Sequence, residues 1–175
     1  HAARSGGGAV RAWNVLVGVV LAVQSLHAAG AGVDRYTARV TRVSDGDTVW
    51  VQPVSGGPYR KLRLVGIDAP EICQSGGEAA RTALAERVLQ RRVRVEERGS
   101  DTYGRGLARI EQDGEDLNAW LVRNGLAWAS GGGRHGYQDQ QQQARRDRLG
   151  VFAERRPEAP RDFRRRHGPC PLPAR

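Results

Sequence analysis

The order and length of its segments predict an α+β fold with a mostly β core: a small five-stranded barrel with helices packed on it. Three observations carry that reading. Valine- and threonine-rich strand patterns come as three short segments and then two more, divided by turn signals. One amphipathic helical stripe separates the third strand from the fourth, and short helical patterns follow the fifth. The chain has 175 residues, enough for one domain with a true core but not for two.

The first two strands are expected at residues 36–43 and 48–54, joined by the turn Ser44-Asp45-Gly46-Asp47. The turn Ser55-Gly56-Gly57-Pro58 leads to a third strand at 59–67, completing a meander. Ser75 and Glu78 have the spacing of a capping box, and Ala80, Leu84 and Val88 recur every four residues, so a helix is expected over 76–90. Strands at 92–97 and 106–112 follow. Asp116 is a cap for a short helix at 117–124, stopped by Gly125. A very polar third helix is expected at 137–149, stopped by Gly150, and Gly131-Gly132-Gly133 reads as a flexible loop.

The two ends differ from this domain, which is expected at 32–154. In residues 1–31 the only charges are Arg4 and Arg11. An apolar run from Trp13 to Val23 leads to the small residues Ala29-Gly30-Ala31, which are the marks of a secretory signal cleaved near Ala31. The run is too short for a stable bilayer span, which takes roughly 20 residues. An uncleaved tether or a buried helix is the alternative. The expected location is outside the cytoplasm, secreted or periplasmic. Loss of the two arginines lowers the net charge from +9 to +7, still a surface suited to a polyanion. Residues 155–175 are rich in arginine and proline and read as an extended tail. The two cysteines, Cys73 and Cys170, suggest a disulfide in an exported protein, tying that tail to the residues just after Glu71; two free thiols are the alternative.

The chemistry gathers around Arg63-Leu64-Val65-Gly66-Ile67-Asp68-Ala69-Pro70-Glu71, an apolar strand that ends in two carboxylates with a rigid proline between them. Asp45 and Asp47 lie before it on a turn, and Arg105 follows it between two glycines. Clustered carboxylates repel and call for a counter-charge; a hard divalent cation with oxygen ligands is the natural one. No histidine lies between His27 and His135, which argues against zinc hydrolase chemistry and serine–histidine triads. Arg63 and Arg105 can each grip two phosphate oxygens and stabilise the charge of a five-coordinate phosphorus. Glu71 is the carboxylate left to orient or deprotonate a water. Each motif alone also occurs as an ordinary turn or loop; their joint order is what carries information.

Asp45-Gly46-Asp47-Thr48, the segment from Arg63 to Glu71, and Asp101-Thr102-Tyr103-Gly104-Arg105-Gly106-Leu107-Ala108 together resemble the staphylococcal-nuclease-like (thermonuclease) family. The resemblance spans residues 36–154. It implies an OB-fold barrel with three helices, and calcium-dependent hydrolysis of DNA and RNA that leaves 3′-phosphate ends. By that resemblance Asp47 and Asp68 match the calcium-binding carboxylates, and Ala69 matches a ligand through its backbone carbonyl. Glu71 matches the proposed general base, and Arg63 and Arg105 the phosphate-binding arginines. Tyr103 matches a tyrosine on the terminal phosphate, and Asp45 lies just outside the ligands. The chain departs from the best-known member at Ala69, a threonine there; at Thr102, a lysine there; and at 130–136, glycine-rich where that member has base-stacking tyrosines. The expected partners are DNA and RNA, met by a monomer with no membrane span after processing. A non-catalytic OB-fold module that binds nucleic acid is the alternative, although such a module has no need of all five of Asp47, Asp68, Glu71, Arg63 and Arg105.

Overall fold

A computed structural model describes residues 32–131 and 136–171. The expected signal segment 1–31 and most of the glycine loop lie outside the described residues. Strand β1 runs Asp34–Asp45, β2 Thr48–Pro53 and β3 Arg60–Leu64. A two-residue strand β4, Ile67–Asp68, precedes helix α1, Gly77–Val88. Then come β5 Arg92–Ser100, β6 Gly106–Gln112, β7 Glu115–Asp116, α2 Leu117–Arg123 and β8 Trp128–Ala129. Helix α3, Gln138–Arg146, a 3-10 turn at Gly150–Ala153, and helix α4, Pro160–His167, complete the described chain.

The sheet order β3-β2-β1-β5-β6 closes on itself because β3 also pairs with β6. That closing pair is parallel, with Leu62 opposite Gly106, Arg63 opposite Leu107 and Leu64 opposite Ala108. The other barrel pairings are antiparallel. This is the five-stranded barrel expected from the segment order. Alternation puts Val49 and Val51, Leu62 and Leu64, Val93 and Val95, and Ala108 and Ile110 inside, all essentially inaccessible. On β1 the alternation is reset by two register shifts, between Val40 and Arg42 and between Val43 and Asp45. Bulges of this kind turn a strand sharply and re-aim its side chains. Here they curl β1 into the turn that carries Asp45 and Asp47.

Helix α1 lays Ala80, Leu84 and Val88 on the core, as the four-residue stripe predicts. Its start differs from expectation. The residue before the helix is Gly76, in a left-handed conformation and with no side-chain cap, while the Ser75 hydroxyl donates to Glu154 Oε1 at 2.6 Å instead. Ser75 thus ties α1 to the segment after the 3-10 turn rather than capping its own helix. Asp116 does cap α2, accepting from the Ala119 N–H at 3.1 Å. Helix α3 is shorter than its expected range: it ends at Arg146, and Arg148 takes a positive φ of 52°. Trp128, Ala144, Val151 and Phe152 then form a small second cluster, with the Arg145 guanidinium over both aromatic rings.

The C-terminal segment is not extended. Pro160, fixed at a helical φ, opens α4. Cys170 is joined to Cys73, with the Cα atoms 5.7 Å apart. The buried Gln74 side chain accepts from the Glu71 N–H at 3.1 Å and donates to the Glu158 carbonyl at 2.8 Å, so one amide links Glu71 to the tail. Among the described residues no helix is long and apolar enough to cross a membrane.

Candidate active site

The barrel mouth opens on a cleft of about 520 Å³, whose walls bring together Asp45, Asp47, Arg63, Asp68, Ala69, Glu71, Tyr103 and Arg105. Every sequence-predicted ligand, base and phosphate-binding residue therefore lines one place. Each arrives for a local reason. A Cβ on Gly46 would meet the Cβ atoms of Ala69 and Ala80 at 2.7 Å, so only glycine lets the β1–β2 turn press against the Ala69 segment. Asp47 is thereby held in place: its Oδ2 accepts from the Ala69 N–H at 2.7 Å and meets Arg63 Nη1 at 3.0 Å. Asp45 orients this turn by accepting the Asp47 N–H on Oδ1 at 3.0 Å.

Asp68 is placed by the small β4–β8 pairing, where it lies opposite Trp128. Glu71 follows Pro70 at the entrance to α1. A Cβ on Gly77 would come within 1.9 Å of the Glu71 carbonyl oxygen, so the helix start can fold this tightly over Glu71 only with glycine. Beneath them, the fully buried Asn118 donates from Nδ2 to the Val65 carbonyl at 2.9 Å and accepts the Ile110 N–H at 3.2 Å. One amide thus joins α2, β6 and the turn between Arg63 and Asp68.

Arg63 on β3 and Arg105 just before β6 stand on the two sides of the β3–β6 seam, and both line the cleft. Arg63 is pinned by donation from Nη1 to the Leu64 carbonyl at 2.8 Å and the Ile67 carbonyl at 3.1 Å, and its Nη2 reaches Asp68 Oδ1 at 3.2 Å. Arg105 donates from Nε to Asp101 Oδ2 at 2.7 Å, while Asp101 Oδ1 accepts the N–H groups of Tyr103 and Arg105. Asp101 therefore shapes the loop and aims its arginine. Tyr103 is 83% exposed, with the Arg105 guanidinium over its ring at 5.4 Å.

Two cationic residues of the cleft were missed from sequence. Lys61 lies two residues before Arg63 on the same strand, and strand periodicity puts it on the same face. Arg164, from α4, forks onto Asp68 with Nη1 donating to Oδ1 at 3.1 Å and Nη2 to Oδ2 at 2.9 Å; Nη1 also donates to Glu71 Oε1 at 2.7 Å. The only sequence signal for it was the Cys73–Cys170 pairing, which brings the tail beside Glu71.

Burial pushes the Asp47 carboxyl up to about 7, against the opposing pull of Arg63; the Asp45 charge adds to the rise, and the Ala69 N–H opposes it. The paired carboxylates Asp68 and Glu71 hold the Arg164 guanidinium firmly protonated.

The donors present fit a hard divalent cation: Asp47, Asp68 and the Ala69 carbonyl all offer oxygen atoms. The guanidinium across both oxygens of Asp68 is itself a positive charge standing at that place. Among the described residues, no three histidine, cysteine, aspartate or glutamate side chains form a metal-ligand cluster. Any cation here would rely on these few protein oxygens and on water.

A closed OB-type barrel with carboxylates and forked arginines at one mouth defines a protein directed at phosphate esters. The chain matches the family model for staphylococcal nuclease homologues over residues 61–154 and belongs to that family. It is 34% identical over 134 residues to an uncharacterized endonuclease of Haemophilus influenzae, covering 75% of each chain. It is 33% identical over 146 residues to the micrococcal nuclease of Shigella flexneri, covering 74% of this chain and 81% of that one. With Protein ParB of Escherichia coli it shares 44% identity over 99 residues, covering 51% of this chain and 55% of that one.

Proposed function

We propose that this protein is an exported, calcium-dependent nuclease that hydrolyses phosphodiester bonds of DNA and RNA and leaves 3′-phosphate ends. The single observation that carries the reading is the convergence of Asp47, Asp68, Glu71, Arg63 and Arg105 on one cleft of a family barrel. The disulfide agrees with an oxidising compartment.

Arg63 and Arg105 bind the scissile phosphate from two sides of the barrel seam and stabilise the charge that grows on its oxygens. Asp47, Asp68 and the Ala69 carbonyl would hold the calcium ion, which when bound supplies positive charge beside the same phosphate. Glu71 takes a proton from the attacking water as its oxygen bonds to phosphorus. The bond from phosphorus to the 5′-oxygen breaks, that oxygen leaves as a hydroxyl with a proton from solvent, and the phosphate stays on the 3′ side. The exposed Tyr103 would touch a terminal phosphate. With charges of both signs balanced in the cleft, affinity for the polyanion comes from the net positive surface around it.

The test is incubation of purified protein with plasmid and RNA, with calcium or with excess chelator, followed by end-group analysis of the products. Cleavage that needs calcium and leaves 3′-phosphate ends is the expected result; full activity in chelator would remove the calcium site. A second reading, a non-catalytic nucleic-acid-binding module, draws on the contacts of Arg164, which engage both Asp68 and Glu71. Binding without cutting under any divalent cation would favour it.

A further inference from the structure

Arg164 lies beyond the family match, which stops at residue 154, yet it bonds directly to both Asp68 and Glu71 in the cleft. Its guanidinium covers both oxygens of Asp68 and one of Glu71. Arg164 and Arg63 together engage three of the roughly four lone-pair positions of Asp68, and the guanidinium charge stands where a hard cation would approach, so the two compete for this carboxylate. Arg63 also touches Asp68, but it is anchored to two backbone carbonyls and its side chain is 19% exposed. Among the described residues, the side-chain hydrogen bonds of Arg164 run to Asp68 and Glu71, and its side chain is 42% exposed. Arg63 is thus built into the site, while Arg164 can leave it.

What keeps Arg164 there is the attachment of α4. Cys170, just past the end of the helix, is bonded to Cys73, two residues from Glu71. Before the helix, Gln74 holds the Glu158 carbonyl, and Arg166 donates from Nε to Glu158 Oε1 at 2.9 Å. A cation fixed this way competes at a high effective concentration, as an intramolecular ligand does.

We propose that Arg164 is a resident counter-ion of the cleft, which competes with a divalent cation for Asp68, and that the Cys73–Cys170 bond sets how strongly it competes. The inference rests on the reading of Asp47 and Asp68 as cation ligands. It makes Arg164 a residue that tunes cation affinity through Asp68, and the tail a working part of the site.

The experiment is calorimetric titration of calcium into the full chain, its Arg164→Gln, Arg164→Lys and Arg161→Gln variants, and the parent after reduction of the disulfide. Arg164→Gln is expected to bind calcium roughly 10- to 100-fold more tightly, the worth of lost charge-assisted hydrogen bonds to a carboxylate. Arg164→Lys, which cannot fork, should fall between. Arg161→Gln removes an equal charge from the same helix outside the cleft and should bind as the parent does. Reduction should tighten binding in the parent but add little in Arg164→Gln, because both act on one contact. Equal or weaker binding by Arg164→Gln overturns the proposal while leaving the calcium site standing. If calcium binds to neither protein, the cation reading and the counter-ion role fall together.

Discussion

Arg63 and Arg164 both donate to Asp68, yet one is held by the barrel and the other is brought from the end of the chain. Arg63 gets its position from the β3 register and two carbonyls within five residues of it, so folding the barrel is enough to place it. Arg164 gets its position from a helix, a disulfide and one glutamine, all outside the barrel strands. The difference teaches that a site can have one part set by topology and another part set by tethering. Changes to the first should damage chemistry; changes to the second should shift the conditions under which chemistry runs.

The largest effect expected is on the barrel side. Glu71→Gln keeps the shape of the proposed base and removes its charge, so cleavage should fall roughly 10²–10⁴-fold while nucleic-acid binding persists. Cleavage rate and binding measured in parallel check this, and parent-like cleavage would show that Glu71 is not the base. On the tail side, replacing both cysteines by serine should lower stability by up to about 4.7 kcal/mol, the chain-entropy value for a loop of about 100 residues. Cleavage at saturating calcium should survive. A cysteine-free protein that is stable but inactive would erase the contrast between the two parts. Next, Gly46→Ala should cost about 1–3 kcal/mol in denaturant unfolding, since its Cβ must push Ala69 and Ala80 apart. It should also weaken cleavage, because Asp47 moves with that turn.

The smallest and finest test is of pH. The Asp47 carboxyl in the folded chain sits near 7, against an ordinary value of 3.8. Below the ordinary value both states hold the proton, and the group contributes nothing to the slope. Between the two values the folded chain keeps a proton that the unfolded chain has lost, so stability from this group falls as pH rises through that window. In chelator, Asp47→Asn should therefore flatten the decline between pH 4 and 7, as urea midpoints across that range will report. An unchanged slope would mean that another group sets it.

The barrel part of the site was readable because its constraints are local. Asp-Gly-Asp on a tight turn, carboxylates around Pro70, and an arginine between glycines each fix backbone shape over a few residues, and the order of the strands brings them together. Strands β4, β7 and β8 have two residues each, too few to show an alternation, so the pairing that places Asp68 was invisible. Ser75 and Glu78 satisfied a capping pattern, but the hydroxyl found a stronger acceptor in Glu154, a partner that only tertiary packing supplies. The tail carries several arginines of equal standing, and nothing in its composition selects Arg164. A helical turn and an anchor at Cys170 do that, once the fold has brought Cys73 within reach.

The parallel seam between β3 and β6 also makes the cleft a reporter of breathing motions. Arg63 lies on one side of the seam, and Arg105 immediately precedes the strand on the other. The seam is short: three residue pairs in register and a Val65 N–H donated to the Ala108 carbonyl at 2.9 Å. If it opens while the rest of the sheet stays paired, the hydrophobic interior is largely retained but the two guanidinium groups part. Amide exchange at Val65, whose N–H crosses the seam, would then track the fraction of molecules able to grip a phosphate. A phosphate ligand that engages both arginines should slow that exchange more than exchange in β1 or β5.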